Sequence, residues 1–253
     1  MNNLGIYIII AVLLFIIYKF IKSYIDNHKV EKDFISVVNH AFRTPLTRIV
    51  WITKELEGDI PANEKMLHLQ GIKNATDKIL GMIDTIVGIR NINDRASYDF
   101  KSVSIREILE GAIFKNREMI TSKNIAFNIS PLKDIPSLTV DLKKISFVIE
   151  EIIENAIYYT PNAGTISIEA TLNSASLFLY ISDTGMGLDF KDKLGIFLKF
   201  YRNPRAKKIN TDGIGLSLYL SKQIIKRHGG SIKAISKGIN KGTTFIIELP
   251  FHK

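Results

Sequence analysis

Residues Phe34 to Thr47, FISVVNHAFRTPLT, hold the side chains in this chain best placed to do chemistry. Wound as a helix, Phe34, Val37, Val38, Ala41 and Phe42 fall on one apolar face. Ser36, His40, Arg43, Thr44 and Thr47 recur at intervals of three and four and line another face. His40 therefore points away from the apolar stripe, beside a cation and hydroxyls. A neutral imidazole has a pKa of about 6.5 and is a competent nucleophile near pH 7. Pro45 falls within the pattern and frees the carbonyl of Ala41, one residue from His40. Three more segments carry chemical types. Glu151-Ile-Ile-Glu-Asn155 places a carboxylate and an amide one helical turn apart. Asp183-Thr184-Gly185-Met186-Gly187 puts a carboxylate at a strand end with two flexible positions behind it. Gly213-Ile214-Gly215-Leu216-Ser217 opens a helix, where backbone N–H groups and the dipole attract phosphate. Either glycine pair taken alone is also what an ordinary tight turn requires.

Order and spacing bring these segments together. His40-Ala-Phe-Arg-Thr-Pro-Leu46 resembles the phosphoacceptor motif of sensor histidine kinases, usually His-Glu-Leu-Arg-Thr-Pro-Leu. Residues from Phe147 to about Gly230 are similar to the N, G1, F and G2 boxes of the Bergerat-type ATP-binding fold shared by histidine kinases, Hsp90-type chaperones and gyrase-type ATPases. The resemblance implies that His40 accepts the phosphoryl group, with Arg43 and Thr44 beside it. It implies ATP and Mg²⁺ as cofactors, with Asn155 as metal ligand and Glu151 as a second candidate. Tyr159 would pack against the nucleotide and Asp183 would accept from the adenine amino group. Gly185 and Gly187 would let backbone pass close to the base. Within Phe197-Leu-Lys-Phe-Tyr-Arg202, which matches the F box, Lys199 and Arg202 would approach the phosphates. Residues 203–212 would form a mobile lid, with Gly213, Gly215 and Leu216 at its second hinge. Thr44 stands where the family often orients water to hydrolyse a phospho-aspartate; a surface threonine bonding back to a carbonyl is the other reading.

Four positions depart from the family pattern. Ala41 replaces the acidic residue thought to assist proton removal from the histidine, a role typically worth about 10²–10⁴-fold. Glu151 replaces an asparagine and resembles the chaperone and gyrase branch, where glutamate activates water. Tyr158 replaces a common lysine, and Ser217 a third glycine. None removes the phosphoacceptor, the metal-binding amide or the adenine carboxylate.

The elements that would position these groups follow from periodicity. Ser23–Glu57 is helix-compatible and ends at Gly58-Asp59-Ile60-Pro61. Asn63 is the expected cap of a second helix reaching Asn93, with Met66, Leu69, Ile72, Ile79, Ile83, Ile86 and Ile89 at helical spacing. These make a helical hairpin, residues 23–93, whose apolar stripe calls for a second copy: an all-α dimeric four-helix bundle. A polar linker follows at 94–101, within Asn91 to Lys101. Beyond it, helices are expected over Ser104–Thr121, Asp141–Tyr159 and Ile214–His228. Strands are expected at Ile125–Ile129, Leu138–Val140, Thr165–Leu172, Ala175–Ser182, Ile232–Ile235 and Thr243–Leu249. This order predicts an α/β sandwich over 102–253, with helices on one face of a sheet.

Leu4 to Tyr18 carries no charge, and a helix over Leu4–Ile21 would be about 27 Å long, enough for the hydrocarbon core. Met1-Asn2-Asn3 lacks the basic start of a signal peptide, and Lys19, Lys22, Lys29 and Lys32 suit a cytoplasmic flank. Residues 1–22 are thus expected to be a transmembrane anchor. The protein would be single-pass in the cell membrane, with its C-terminal catalytic part in the cytoplasm and no extracytoplasmic sensing domain. The net charge of +9 suits anionic partners such as lipid headgroups or nucleotide phosphates. No nucleic-acid recognition motif occurs, and the basic residues are scattered. The absence of cysteine excludes disulfides and thiolate metal sites. His28, His68, His228 and His252 show no metal-ligand pairing and read as structural. The expected function is a membrane-anchored homodimeric histidine kinase that passes its phosphoryl group to an aspartate of a separate response regulator. A membrane lipid or membrane protein would complete the partners. The alternatives are a weak kinase acting mainly as a regulator phosphatase, and a non-catalytic ATP-binding scaffold.

Overall fold

A computed structural model describes residues 38–39, 41–58, 61–92, 94–130, 135–210 and 213–251. The expected membrane anchor at 1–22 and the expected phosphoacceptor His40 lie outside the described residues. Among those described, no helix is long and apolar enough to cross a membrane. The chain falls into two compact units, Met1–Thr76 and Asp77–Lys253.

In the first unit, residues 41–56 form helix α1, which runs through Pro45 without a break. Gly58 N–H closes its end on Glu55 O at 3.1 Å. Helix α2, Ala62–Asn91, follows. It begins one residue before the expected cap Asn63, because Pro61 leads in and its carbonyl accepts from Lys65 N–H at 3.0 Å. His68 Nε2 approaches Glu55 Oε2 at 3.6 Å, joining the two helices side by side. Ala41, Ile52 and Ala75 are buried, while Leu46, Val50, Trp51, Met66 and Leu67 are exposed. The helical hairpin is therefore present, with much apolar surface facing outward.

The second unit is built on a five-stranded sheet in the order β2-β4-β5-β7-β6. These are Ala126–Ile129, Thr165–Leu172, Ser176–Asp183, Thr243–Pro250 and Ser231–Ile235. β2 runs parallel to β4; the remaining pairs are antiparallel. Ile166 and Ile168, Leu177, Leu179 and Ile181, and Phe245, Ile247 and Leu249 alternate onto one face and are buried, as a strand period of two requires. Against that face lie α3 (Ile105–Lys115), α5 (Leu142–Tyr159) and α8 (Ser217–Arg227). From α5, Ile145, Ile149, Ile152, Ile153 and Ile157 reach the core fully buried, each contributing roughly 1.5–3 kcal/mol. The α/β sandwich read from the sequence is thus the fold of this unit.

Several boundaries differ from expectation. The helix expected over Ser104–Thr121 breaks at Asn116, whose side chain turns back to Ala112 O at 2.9 Å, and resumes as α4, Arg117–Ser122. Phe100–Val103, half of it in the stretch read as linker, forms β1 and pairs antiparallel with β3, Leu138–Asp141. Asp141 Oδ2 accepts from Asp99 N–H at 2.9 Å and anchors that strand's entry. Helix α8 starts at Ser217, not Ile214, leaving the glycine segment outside the helix, with Gly215 at φ 74°. Two short helices escaped the periodicity, α6 (Phe190–Gly195) and α7 (Pro204–Ile209), each six residues long. The end of α2 belongs to this core, since Ile89 and Ile92 pack into it. His228 is buried and structural as expected: its Nε2 accepts from Asp141 N–H at 3.0 Å and its Nδ1 lies 2.8 Å from Ile224 O.

Candidate nucleotide site

Helix α5, the G1 turn after β5, the F segment and the start of α8 enclose one cavity of about 1020 Å³, its mouth included. Glu151, Asn155, Tyr159, Asp183, Gly187, Arg202, Gly213 and Gly215 all line it. Three expected site residues do not. Gly185 sits behind Asp183, Lys199 holds its ammonium 5.0 Å from the Tyr219 ring centre, and Leu216 is buried. Arg43 and Thr44 are exposed on α1 in the first unit.

The two ends of the cavity differ chemically. At one end Asp183 closes β5. Its Oδ1 accepts from Gly185 N–H at 2.8 Å and from Thr243 N–H at 3.2 Å, which orients the carboxyl and leaves Oδ2 for a ligand. Burial pushes its pKa up to about 6, against the pull of those two N–H groups. The G1 glycines make room for protein rather than only for ligand. A Cβ on Gly185 would meet Tyr159 O at 2.4 Å, and Gly187, at φ 61°, lies against Gly238 O. Met186 N–H donates to Tyr159 O at 3.2 Å, so the turn is fastened to the end of α5.

At the other end, Asn155 Nδ2 donates to Glu151 O at 2.7 Å. That commits the amide nitrogen and leaves the oxygen for a cation. Glu151 and Glu154 also line this end. A set of oxygen donors alone is the chemistry Mg²⁺ prefers, so these residues fit the implied metal. Among the described residues no separate cluster of three metal-ligating side chains exists. Burial raises Glu151 to about 7, with Glu154 adding to the rise and a Ser217 hydrogen bond opposing it. The first turn of α8 has no side-chain cap, and its Ser217 and Leu218 line the cavity, as suits N–H groups left for an anion. Arg202 donates to Gly213 O at 2.7 Å, to Asn210 O and to the Tyr159 side chain. Phe200, two residues earlier, takes φ 63°, a strained value for a bulky residue costing about 1–3 kcal/mol.

Comparison with known proteins agrees with this geometry. Residues 140–253 match the family described as histidine kinase-, DNA gyrase B-, and HSP90-like ATPase. The sensor histidine kinase WalK of Bacillus subtilis is 28% identical over 229 residues, 87% of this chain and 36% of WalK. Over nearly nine tenths of its length the chain is similar to proteins named as sensor histidine kinases or sensor proteins. It spans between 17% and 38% of the lengths of the curated relatives it matches. Among solved folds, full-length ShkA in complex with AMPPNP superposes with a TM-score of 0.62 at 20% identity, over 86% of this chain and 45% of ShkA. Histidine kinase ThkA in complex with the response regulator TrrA gives 0.61 at 22% identity, over 85% of this chain and 60% of ThkA.

Two positioning groups had no signal in the family motif. Lys123, at the end of α4, donates from Nζ to Ile157 O at 2.7 Å, Tyr158 O at 3.1 Å and Thr160 O at 2.7 Å. It thereby caps α5, which has no basic residue in its own last turn. Asp192 of α6 is fully buried and bonded to the F segment. Its local sequence holds no hint, since Asp192 stands between Lys191 and Lys193 and reads as one more surface charge.

Proposed function

We propose that this chain is an ATP-dependent protein-histidine kinase of a two-component system. ATP bound in the cavity donates its γ-phosphoryl group to His40, and the group then passes to an aspartate of a response regulator. The observation that carries this reading is the single cavity that joins Asn155 and Arg202 to the oriented carboxylate of Asp183. Asp183 supplies an acceptor for the adenine amino group. The N–H groups at the start of α8, with Arg202, supply donors for phosphate oxygens. Asn155 and Glu151 would hold Mg²⁺, which supplies charge neutralisation at the phosphates. A neutral imidazole nitrogen of His40 forms the new N–P bond as the bond to the leaving ADP oxygen breaks. Phosphoryl transfer of this kind rests on positioning and charge neutralisation.

The finer reading is a homodimer anchored in the cell membrane by residues 1–22, with the catalytic part in the cytoplasm. Dimerisation is supported by the exposed Leu46, Val50 and Leu67 on the hairpin, which pairing would cover. The regulator partner is supported by the family and by the ThkA–TrrA complex. The experiment is phosphotransfer: label carried by the chain should move to a receiver domain and be lost from the kinase within minutes. A receiver panel that takes no label from a labelled chain would refute the transfer.

A second reading, a weak kinase acting mainly as a regulator phosphatase, is favoured by Ala41. That position is buried, 3% exposed, and offers no carboxylate, while Thr44 is exposed one turn later. It predicts rapid loss of phosphate from a phosphorylated receiver on adding the chain, with Thr44→Ala abolishing the effect.

A further inference from the structure

The F segment turns sharply between α6 and α7, and one buried side chain holds both arms of the turn. Asp192 is 0% exposed. Its Oδ1 accepts from Tyr201 Oη at 2.9 Å and from Asn203 Nδ2 at 2.6 Å. Its Oδ2 accepts from Asn203 Nδ2 at 2.6 Å and from Asp189 N–H at 3.0 Å, with Arg205 Nη2 at 3.5 Å. Burial opposes ionisation of Asp192, yet the bonds from Asn203, Asp189 and Tyr201, with Arg205, bring its carboxyl below the usual carboxylate range. Tyr201 and Asn203 are the two neighbours of Arg202 in the chain. Their bonds to one carboxylate hold the chain on each side of Arg202, the base from which its guanidinium reaches Gly213 O and Asn210 O.

The consequence reaches the cavity by a second route. Asn203 Oδ1 also accepts from Arg205 N–H at 2.6 Å and starts α7. Arg205 then donates to Met186 O at 3.1 Å and Gly187 O at 3.5 Å. The same carboxylate thus joins the segment carrying Arg202 to the G1 turn beside Asp183. Phe200 at φ 63° stores strain in this turn. A strained turn persists only where surrounding bonds over-determine it; Asp192 adds the Tyr201 and Asn203 side-chain bonds to the Phe200 N–H bond to Gly215 O at 2.8 Å.

We infer that Asp192 is a positioning residue for nucleotide binding, acting through Tyr201 and Asn203 to aim Arg202 at the phosphates. The inference rests on the ATP-site reading. Asp192→Asn keeps the shape but turns an acceptor into a donor facing other donors, so the turn should loosen and Arg202 lose its aim.

The test is Mg²⁺–ATP affinity of the full chain by equilibrium titration, for wild type, Asp192→Asn, Tyr201→Phe, Arg202→Met and the double variant Tyr201→Phe/Arg202→Met. Tyr201→Phe removes one bond to Asp192 while keeping the ring, and it decides the matter where Asp192→Asn does not fold. Asp192→Asn should weaken binding on the order of tenfold and Tyr201→Phe less. A merely structural role would make the losses from Tyr201→Phe and Arg202→Met multiply. Action through Arg202 predicts that the double variant binds no more weakly than Arg202→Met alone. Wild-type affinity in Tyr201→Phe, or losses that multiply, overturns the inference and leaves the ATP site standing. Wild-type protein that binds no ATP overturns both.

Discussion

The Ser217 side chain hydrogen-bonds the Glu151 carboxyl, so the two positions where this ATP site departs from the family's asparagine and glycine touch each other. The contact crosses from α5 to the first residue of α8, between the metal-binding and phosphate-binding ends of the cavity. A hydroxyl donor stabilises the carboxylate form that burial disfavours. The two departures therefore compensate one another rather than weakening the site independently.

That carboxyl makes stability depend on pH in a defined sense. The folded-state pKa of Glu151 is about 7, above the ordinary 4.5. Below 4.5 both folded and unfolded chains are protonated and no penalty exists. Between 4.5 and 7 the unfolded chain releases its proton first, so stability falls as pH rises. Glu151→Gln should flatten this slope and leave the variant more stable than wild type at pH 8, by on the order of 2–3 kcal/mol. Denaturant unfolding at pH 5 and pH 8 measures it. A variant less stable at pH 8 would show that the carboxylate is better paired than its burial allows.

Asp183 sets a second pH dependence, on binding. Its pKa of about 6 means that the acceptor for an adenine amino group is lost as pH falls through 6. ATP affinity should therefore drop between pH 7 and pH 5, while affinity for a purine nucleotide lacking the amino group changes much less. Asp183→Asn should cost about 1.5–3 kcal/mol of ATP binding, roughly 10–150-fold. Calorimetric titration across that range reads both effects.

Lys123 carries a prediction about stability rather than chemistry. Its ammonium satisfies three carbonyls at the end of the helix that bears Asn155 and Tyr159. Lys123→Met keeps most of the apolar stem and removes the donors. It should destabilise the second unit by about 2–3 kcal/mol, and Lys123→Arg by less. Thermal unfolding compares the three. Equal stability in Lys123→Met would mean that solvent replaces the ammonium without loss.

The parts of this molecule that were legible from sequence share one property: a period or a motif long enough to outvote local noise. The alternating strands from Thr165 to Asp183 and the isoleucine face of α5 came out within a residue or two. So did the order of Asn155, Asp183 and Gly213, which the fold gathers around one cavity. What stayed hidden was short or depended on distant partners. Helices α6 and α7 have six residues each, fewer than two full turns, and begin on caps from Asp189 and Asn203 that resemble ordinary turn residues. β1 exists because it pairs along its length with the distant β3, and Asp141 accepts from Asp99 N–H at its entry. The resemblance of Phe197–Arg202 to the F box puts Lys199 at the phosphates, but its side chain leaves toward Tyr219. A motif match fixes a position in the chain, not a rotamer. Asp192 reads in sequence as a surface charge between two lysines, and only the turn between α6 and α7 brings Tyr201 and Asn203 onto it.

The central claim is that the cavity delivers a phosphoryl group to His40. Incubating the full chain with γ-labelled ATP and Mg²⁺, for wild type and His40→Gln, tests it most directly. Wild type should acquire acid-labile, alkali-stable label. His40→Gln should acquire none while binding ATP as wild type does. Acid-labile label that survives the substitution, or a wild type that binds ATP and never becomes labelled, would contradict the account.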